Sequence, residues 1–498
     1  MAPSLRRSPP GRILTAARAM AGGNAVFAVI LGAGVLLRVV AMIGYRPALW
    51  FNDSYDYVRI GNAPFPHPLR SEGYGIALWL LRPFHSLGLV VALQHLMIVA
   101  VAVFAYRALV RDFGVRKRWA AAATAPLLLD GNQIELEHLL LSDTLFTALI
   151  VVAVLLLARP GAAGWRQAAV VGGLLGAATL TRTVGGPLIV LAMLFLLVRR
   201  ARWVSVAVLA LAFAVPVGGY AVWFHAEHGR YSLTQADGVF LWGRTSAFAD
   251  CSKRMPSGDL VYMCPPKPPE ERGSSSNQIW VEGSPTGWRN GYAFTPEMND
   301  RAGRFAMWAI REQPVDYVKA VAYDFFVRTF SWYRSGYPTP GTAAKYKFPK
   351  RAERMKDLPV IGGGSRFSVV REYEHGSGRT RIVRPFSDVV RVYQEVVNVR
   401  GTMLGLVLVF GAAGLVRGRR RGRPGRRGRP ESGLFWLSGV ALLAVPPVTA
   451  DFDYRYVLPA MPFAFLAAAT AWGRGRPGED EAAAVPGAAE REAEPAAT

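Results

Sequence analysis

WFNDSYDYVRIGNAPFPHPLRSEGY, residues 50–74, gathers Asp53, Asp56, Arg59, His67, Arg70 and Glu72 into one short stretch directly after an apolar run from Ala25 to Gly44. That run has 20 residues, enough for a helix to cross a hydrocarbon core roughly 30 Å thick. It lacks the short apolar core and small-residue cleavage site of a secretory leader. We therefore read it as a retained anchor, with Arg6, Arg7, Arg12 and Arg18 of the 1–24 arm on the cytoplasmic side. A carboxylate-bearing loop that follows such a crossing is expected just outside the bilayer, within reach of a lipid-borne reactant.

Working outward, apolar residues make up 51% of the chain and fall in long blocks rather than in a helical or alternating rhythm, the pattern of bilayer-spanning helices. Mean hydropathy is only +0.20, because a long polar segment at about 225–400 and polar tails dilute the blocks. Further blocks at about 87–106, 119–134, 138–158, 167–181, 185–198, 203–224, 401–416, 433–449 and 455–472 bring the expected crossings to ten. Several are short for a full crossing, which leaves room for a cavity or reflects simple mismatch. The formal charge of +23 invites a nucleic-acid reading, but its placement argues against one. If the crossings alternate, one set of connections holds Arg107, Arg111, Arg116, Lys117, Arg118, Arg159, Arg166, Arg199, Arg200, Arg202 and the arginine run at 417–429. The other set holds Glu135, Glu137, Asp451 and Asp453. This is the positive-inside pattern, and no nucleic-acid partner is expected.

The fold class that follows is an all-α polytopic membrane protein of about ten transmembrane helices with a mixed α/β or irregular extracytoplasmic domain. Its parts are a cytoplasmic N-terminus (1–24), a membrane module (25–224) with the first outer loop at 45–86, an extracytoplasmic domain (225–400), C-terminal transmembrane helices (401–472) and a disordered cytoplasmic tail (473–498). The outer domain holds the only two cysteines, Cys251 and Cys264. On an oxidising side they point to a disulfide closing a small loop, and no zinc partners stand nearby in sequence. Thr295-Pro296 reads as a helix start. The aromatic stretch after Pro314 suits either the membrane surface or the core of a small outer domain. Residues 338–385 show no assignable pattern.

Charges inside apolar blocks mark candidate functional residues, because a membrane segment tolerates them only beside a cavity or a partner. Arg38 lies inside the first block, Arg182 in LTRTVGG, and Arg455 in DFDYRYVLPAMP. Three arginines at similar depth beside an acidic loop suit a phosphate-bearing ligand, since the planar guanidinium bonds two oxygens at once. Snorkelling is the plain alternative for Arg38 and Arg182, and an ion pair with Asp451 or Asp453 is the alternative for Arg455.

The order of these parts resembles the polytopic glycosyltransferases of the GT-C superfamily, which use polyprenyl- or dolichyl-phosphate sugars and include aminoarabinose, arabinose and protein O-mannosyl transferases. The pieces that carry the resemblance are WFNDSYDYVRIG, HPLRSEGYGIALWLLRPF, LQHLMIVAVAVFAYRALVRDFG, IELEHLLLSDTLF, GLLGAATLTRTVGGP and RYVLPAMPF. Together they cover most of the membrane portion and little of the outer domain. The resemblance implies an inverting transfer from a polyprenyl-phosphate sugar to an extracytoplasmic hydroxyl on a glycan, glycolipid or protein, at the outer face of the cell membrane. Asp53 matches the position of the family's general base, with Asp56 three residues on as the other candidate. Arg38, Arg182, Arg455 and His138 would bind the donor phosphate, while Glu137, Asp143 and Arg70 would orient donor or acceptor. No cofactor is expected, and no metal, since the loop lacks an Asp-x-Asp pair and the arginines supply positive charge. The alternative reading is a lipid or polysaccharide transporter or flippase, for which intramembrane charges are equally natural.

Overall fold

The computed structural model describes residues 25–161, 163–275, 277–287, 294–334, 336–420 and 430–473. The N-terminal arm at 1–24, most of the arginine run at 417–429 and the tail beyond 473 lie outside the described residues.

Each apolar block of the sequence folds largely as helix, but fewer than the expected ten are single long helices. Among the described residues four helices are long and apolar enough to cross a membrane: Ala25–Gly44, Leu87–Arg111, Trp203–His228 and Pro430–Thr449. A fifth is reached if Phe386–Val396 and Gly401–Arg417, bent by 52°, count as one span. The remaining blocks are cut short by polar residues that start new elements. Lys117–Leu129 ends where Asp130 accepts bonds from the Asn132 and Gln133 backbone and opens a separate helix, Gly131–His138. The last block begins as a tight turn at Tyr454–Val457 and becomes α-helix only over Met461–Trp472, about 18 Å at the usual rise.

The outward faces of the long helices are apolar, with Val29 71% and Trp203 78% exposed, a surface suited to lipid rather than water. Inside, the helices close on small residues. A Cβ at Gly172 would stand 2.3 Å from the Leu209 carbonyl oxygen, and one at Gly176 would stand 2.8 Å from Pro216 Cγ. These two glycines let Trp165–Thr181 approach Trp203–His228 at backbone contact, the usual role of small residues four apart in membrane helices.

The long polar segment is also not one body. Residues around 239–309 form a small core of their own from Val239, Trp242, Met263, Ile279, Phe305 and Ala309, beside the Cys251–Cys264 disulfide. Helix Pro296–Glu312 starts at Thr295, whose side chain accepts from the Met298 N–H. Tyr337, Tyr346, Phe348, Val360, Val369, Val370 and Tyr373, by contrast, join the main core with the first loop. The stretch without legible pattern is therefore a cover folded over that loop. Among the described residues the only sheet is a two-residue antiparallel pair, Tyr45–Arg46 with Arg381–Ile382. Of the two expectations, mixed α/β or irregular, the described residues of the segment follow the second, with short helices and irregular chain.

Candidate functional site

The first loop is shaped so that the Asp53 carboxylate faces away from its own backbone. Helix Ser54–Asn62 begins on Asp53, yet the Asp53 side chain makes no capping bond, although an aspartate at a helix start normally accepts from the first-turn N–H groups. Ser54 Oγ instead accepts from the Phe51 N–H at 2.9 Å. Asp53 is left to the arginines. Its Oδ1 accepts from Arg70 Nη2 at 2.7 Å and its Oδ2 from Arg455 Nη1 at 3.0 Å. Arg70 also brings Nε to 3.6 Å from Asp56 Oδ2.

Two further charges complete the cluster. Arg182 pairs with Asp143 at 2.5 Å, and Arg182 and Arg455 both lie over the Tyr456 ring, at 5.1 and 5.3 Å. Arg455 also lies over Phe51 at 4.9 Å and stands 3.6 Å from Asp453, which accepts from the Tyr346 hydroxyl at 2.6 Å and from the Arg455 N–H at 3.2 Å. Arg70, Arg182 and Arg455 therefore meet Asp53, Asp56, Asp143 and Asp453 in one charged group. A phosphate entering it would compete with carboxylates for arginine. The side chains of Arg455, Arg182, Arg70 and Asp56 retain 10%, 15%, 18% and 18% of their exposure, so the cluster is reachable from outside.

Protonation within the loop is unequal. Burial raises the affinity of Asp53 for its proton, but Arg70 and Arg455 outweigh it and hold the carboxyl below its ordinary range. Asp56 is pushed up to about 6 by burial, against the pull of Arg70. Glu72 is pushed up to about 8 by burial, despite the bond from the His67 N–H. His67 is held neutral by burial and by the Arg70 charge. Several buried polar atoms here have no hydrogen-bond partner: His67 Nε2, Arg70 Nε, Arg455 Nε and Glu72 Oε2.

Arg38 does not join this cluster, contrary to the sequence expectation. Its Nε and Nη2 each bond Glu137 at 2.7 Å, and its remaining donors reach the carbonyls of Gly34, Leu127 and Leu128. Glu137 also takes His95 Nδ1 at 2.8 Å, and His95 Nε2 lies 3.0 Å from His138 Nδ1. His138 Nε2 bonds the Tyr45 carbonyl at 2.6 Å. Every donor of Arg38 is thus matched inside the helices. Arg38, Glu137 and His138, expected at the donor and acceptor, are thus placed together in a buried network that grips the root of the first loop. That grip continues in the backbone, where Leu49 donates to the His138 carbonyl and Leu140 to the Leu49 carbonyl.

Sequence reasoning missed Tyr346 and Tyr456, and it gave no role to His67. Tyr456 had a signal, since it follows Arg455 directly; Tyr346 had none, lying in the unpatterned cover. Among the described residues no group of three His, Cys, Asp or Glu side chains is placed to hold a metal ion.

No protein-family model matches the sequence, and no curated protein matches it. Among solved structures, the chain is similar to the apo oligosaccharyltransferase of Archaeoglobus fulgidus (TM-score 0.40, 12% identity, 89% of this chain and 50% of that one). It is similar to the same archaeal enzyme in complex with an inhibitory peptide and a dolichol-phosphate (TM-score 0.37, 15% identity, 89% and 49%). It is also similar to ArnT from Cupriavidus metallidurans bound to undecaprenyl phosphate (TM-score 0.35, 14% identity, 89% and 76%). The chain spans about half the length of the oligosaccharyltransferase. At these distant scores the chemistry of the site stands on the residues described above.

Proposed function

We propose that the protein is a multi-pass membrane glycosyltransferase of GT-C type. It moves a sugar from a polyprenyl-phosphate donor to a hydroxyl of a glycan, glycolipid or protein acceptor at the extracytoplasmic face of the cell membrane. The observation that carries this reading is Asp53: an uncapped loop carboxylate bonded to Arg70 and Arg455, next to Arg182, at the edge of a body of lipid-suited helices.

In this reading the acceptor hydroxyl attacks the anomeric carbon as the bond from that carbon to the phosphate oxygen breaks, with inversion. The bonding pair leaves on the polyprenyl phosphate, and the hydroxyl proton passes to Asp53, the general base. Arg455 and Arg182 stabilise the charge that grows on the departing phosphate; donors fixed in advance are often the largest catalytic contribution. The bond between Asp53 and Arg455 adds a consequence. A donor phosphate that draws Arg455 away removes one of the two cations that weaken Asp53 as a base. Donor arrival and base activation are then linked.

The test is to incubate purified protein with a panel of labelled polyprenyl-phosphate sugars and follow release of polyprenyl phosphate. Wild type is expected to release it from at least one donor, and Asp53→Asn to be slower by about 10²–10⁴-fold, the usual range for loss of a general base. Movement of intact donor across the bilayer without release, unaffected by Asp53→Asn, would instead support a transporter.

A further inference from the structure

His67 is fully buried, and its two ring nitrogens face different tasks. Nδ1 accepts the Leu69 N–H at 3.1 Å, which fixes the neutral tautomer with the proton on Nε2. Nε2 has no hydrogen-bond partner, yet it stands 3.9 Å from Asp56 Oδ1. That gap is too long for a direct bond. An oxygen roughly 2.8 Å from both atoms would subtend an angle of about 90°, within the normal range for a hydroxyl. A buried N–H without a partner is costly to keep. Facing a carboxylate across such a gap, it matches a group that both accepts and donates one hydrogen bond.

We infer that His67 Nε2 and Asp56 form a subsite for a second hydroxyl of the acceptor, one that does not itself attack. His67 donates to its oxygen, and Asp56 accepts its proton-bearing side. Arg70 links this subsite to the base, because its Nη2 holds Asp53 Oδ1 at 2.7 Å while its Nε lies 3.6 Å from Asp56 Oδ2. Two carboxylates joined through one guanidinium suit two neighbouring hydroxyls: one at Asp53 that attacks, one at Asp56 that is held. The acceptor class is therefore a sugar with a vicinal diol rather than a lone serine or threonine hydroxyl. This rests on the glycosyl-transfer reading above, with Asp53 as base.

The substitutions that separate the two nitrogens are His67→Asn and His67→Gln. An asparagine oxygen can take the bond from the N–H two residues on, keeping the turn, but it leaves the Nε2 position empty. A glutamine amide reaches that position and restores a donor. Transfer is measured from a donor that wild type turns over, to a panel of methyl glycosides, to analogues lacking one hydroxyl each, and to N-acetylserine amide. Wild type is expected to prefer the glycosides. His67→Asn should raise the glycoside KM by about tenfold, the effect of one lost hydrogen bond, with donor KM unchanged, and His67→Gln should recover part of it. One deoxy analogue should lose as much with wild type as His67→Asn does and lose nothing further with that variant, a non-additivity that a structural role would not produce. The inference is overturned if glycoside KM stays within twofold in His67→Asn, if every deoxy effect adds to that of the variant, or if N-acetylserine amide is the preferred acceptor. Should wild type release polyprenyl phosphate from no donor, the function itself fails, which is a different result.

Discussion

Two charged clusters lie at the two sides of the first loop, one at its root and one on its carboxylates, and they differ in closure. In the Arg38 cluster the side chains of Arg38 and Glu137 are 4% and 0% exposed, and each Arg38 nitrogen has a partner. In the Asp53 cluster Asp53, Asp56, Arg70, Arg182 and Arg455 keep 10–18% side-chain exposure while Asp143 and His67 keep none, and Arg70 Nε, Arg455 Nε and His67 Nε2 lack hydrogen-bond partners. A buried ion pair whose bonds are complete holds structure together and offers nothing to a ligand. A partly open cluster with unmatched donors retains capacity to bind one. Charge inside an apolar run is thus not enough to mark a site; incomplete hydrogen bonding is what separates the two.

The widest separation between the clusters is expected in rate. Asp53→Asn should reduce turnover by about 10²–10⁴-fold at a smaller cost in thermal stability than Glu137→Ala, because the amide oxygen keeps one arginine and the partly exposed site lets water reach the other. Glycosyl release and thermal unfolding measured on one preparation check both halves. Glu137→Ala should do the reverse: it leaves Arg38 buried without its acid, a loss of about 3–5 kcal/mol in stability, seen as a lower unfolding midpoint or as failure to purify in folded form. A Glu137→Ala protein that is stable yet inactive would erase the distinction.

A finer contrast uses Arg455→Lys, which keeps the charge and loses the fork that bonds two oxygens. We expect a tenfold order of increase in donor KM. Arg38→Lys should leave donor KM unaltered in whatever protein folds.

The smallest effect concerns pH. Asp56 sits at about 6 in the folded protein against 3.8 ordinarily, so between those values the folded state binds more protons than the unfolded one. The Asp56 contribution to stability should therefore fall as pH rises from about 4 to about 6 and level off above, while that of Glu72, pushed up to about 8, goes on falling. Asp56→Asn should flatten that part of the curve, and an unchanged slope in denaturant midpoints across this range would count against the burial of Asp56.

Sequence reading located the first loop, Asp53, Arg182 and Arg455 because each is a charge set against apolar surroundings, and such contrasts survive without coordinates. It could not place Arg38, because a run such as GAGVLLRVVAM looks the same whether the guanidinium faces a ligand or a glutamate 99 residues away. The role of Arg70 as the clamp on Asp53 was hidden for a related reason: an i to i+17 pairing across an irregular loop has no periodic signature. The cover at 338–385 was illegible because its order comes from tertiary contacts. One example is Gly362, at φ +85, where a Cβ would lie 2.2 Å from Phe65 Cζ and whose carbonyl takes two bonds from Arg59. Apolar length also could not show where helices break: Asp130 and the turn at Tyr454–Val457 divide blocks that hydropathy alone joins.

The most direct test of the central claim is a structure of the purified protein with polyprenyl monophosphate bound. The account predicts phosphate oxygens within hydrogen-bond reach of both Arg455 and Arg182, with Arg455 drawn off Asp53 Oδ2 and the Arg38–Glu137 pair unmoved. A phosphate seated on Arg38, or one that leaves the Asp53–Arg455 bond intact while lying away from Arg182, would contradict it.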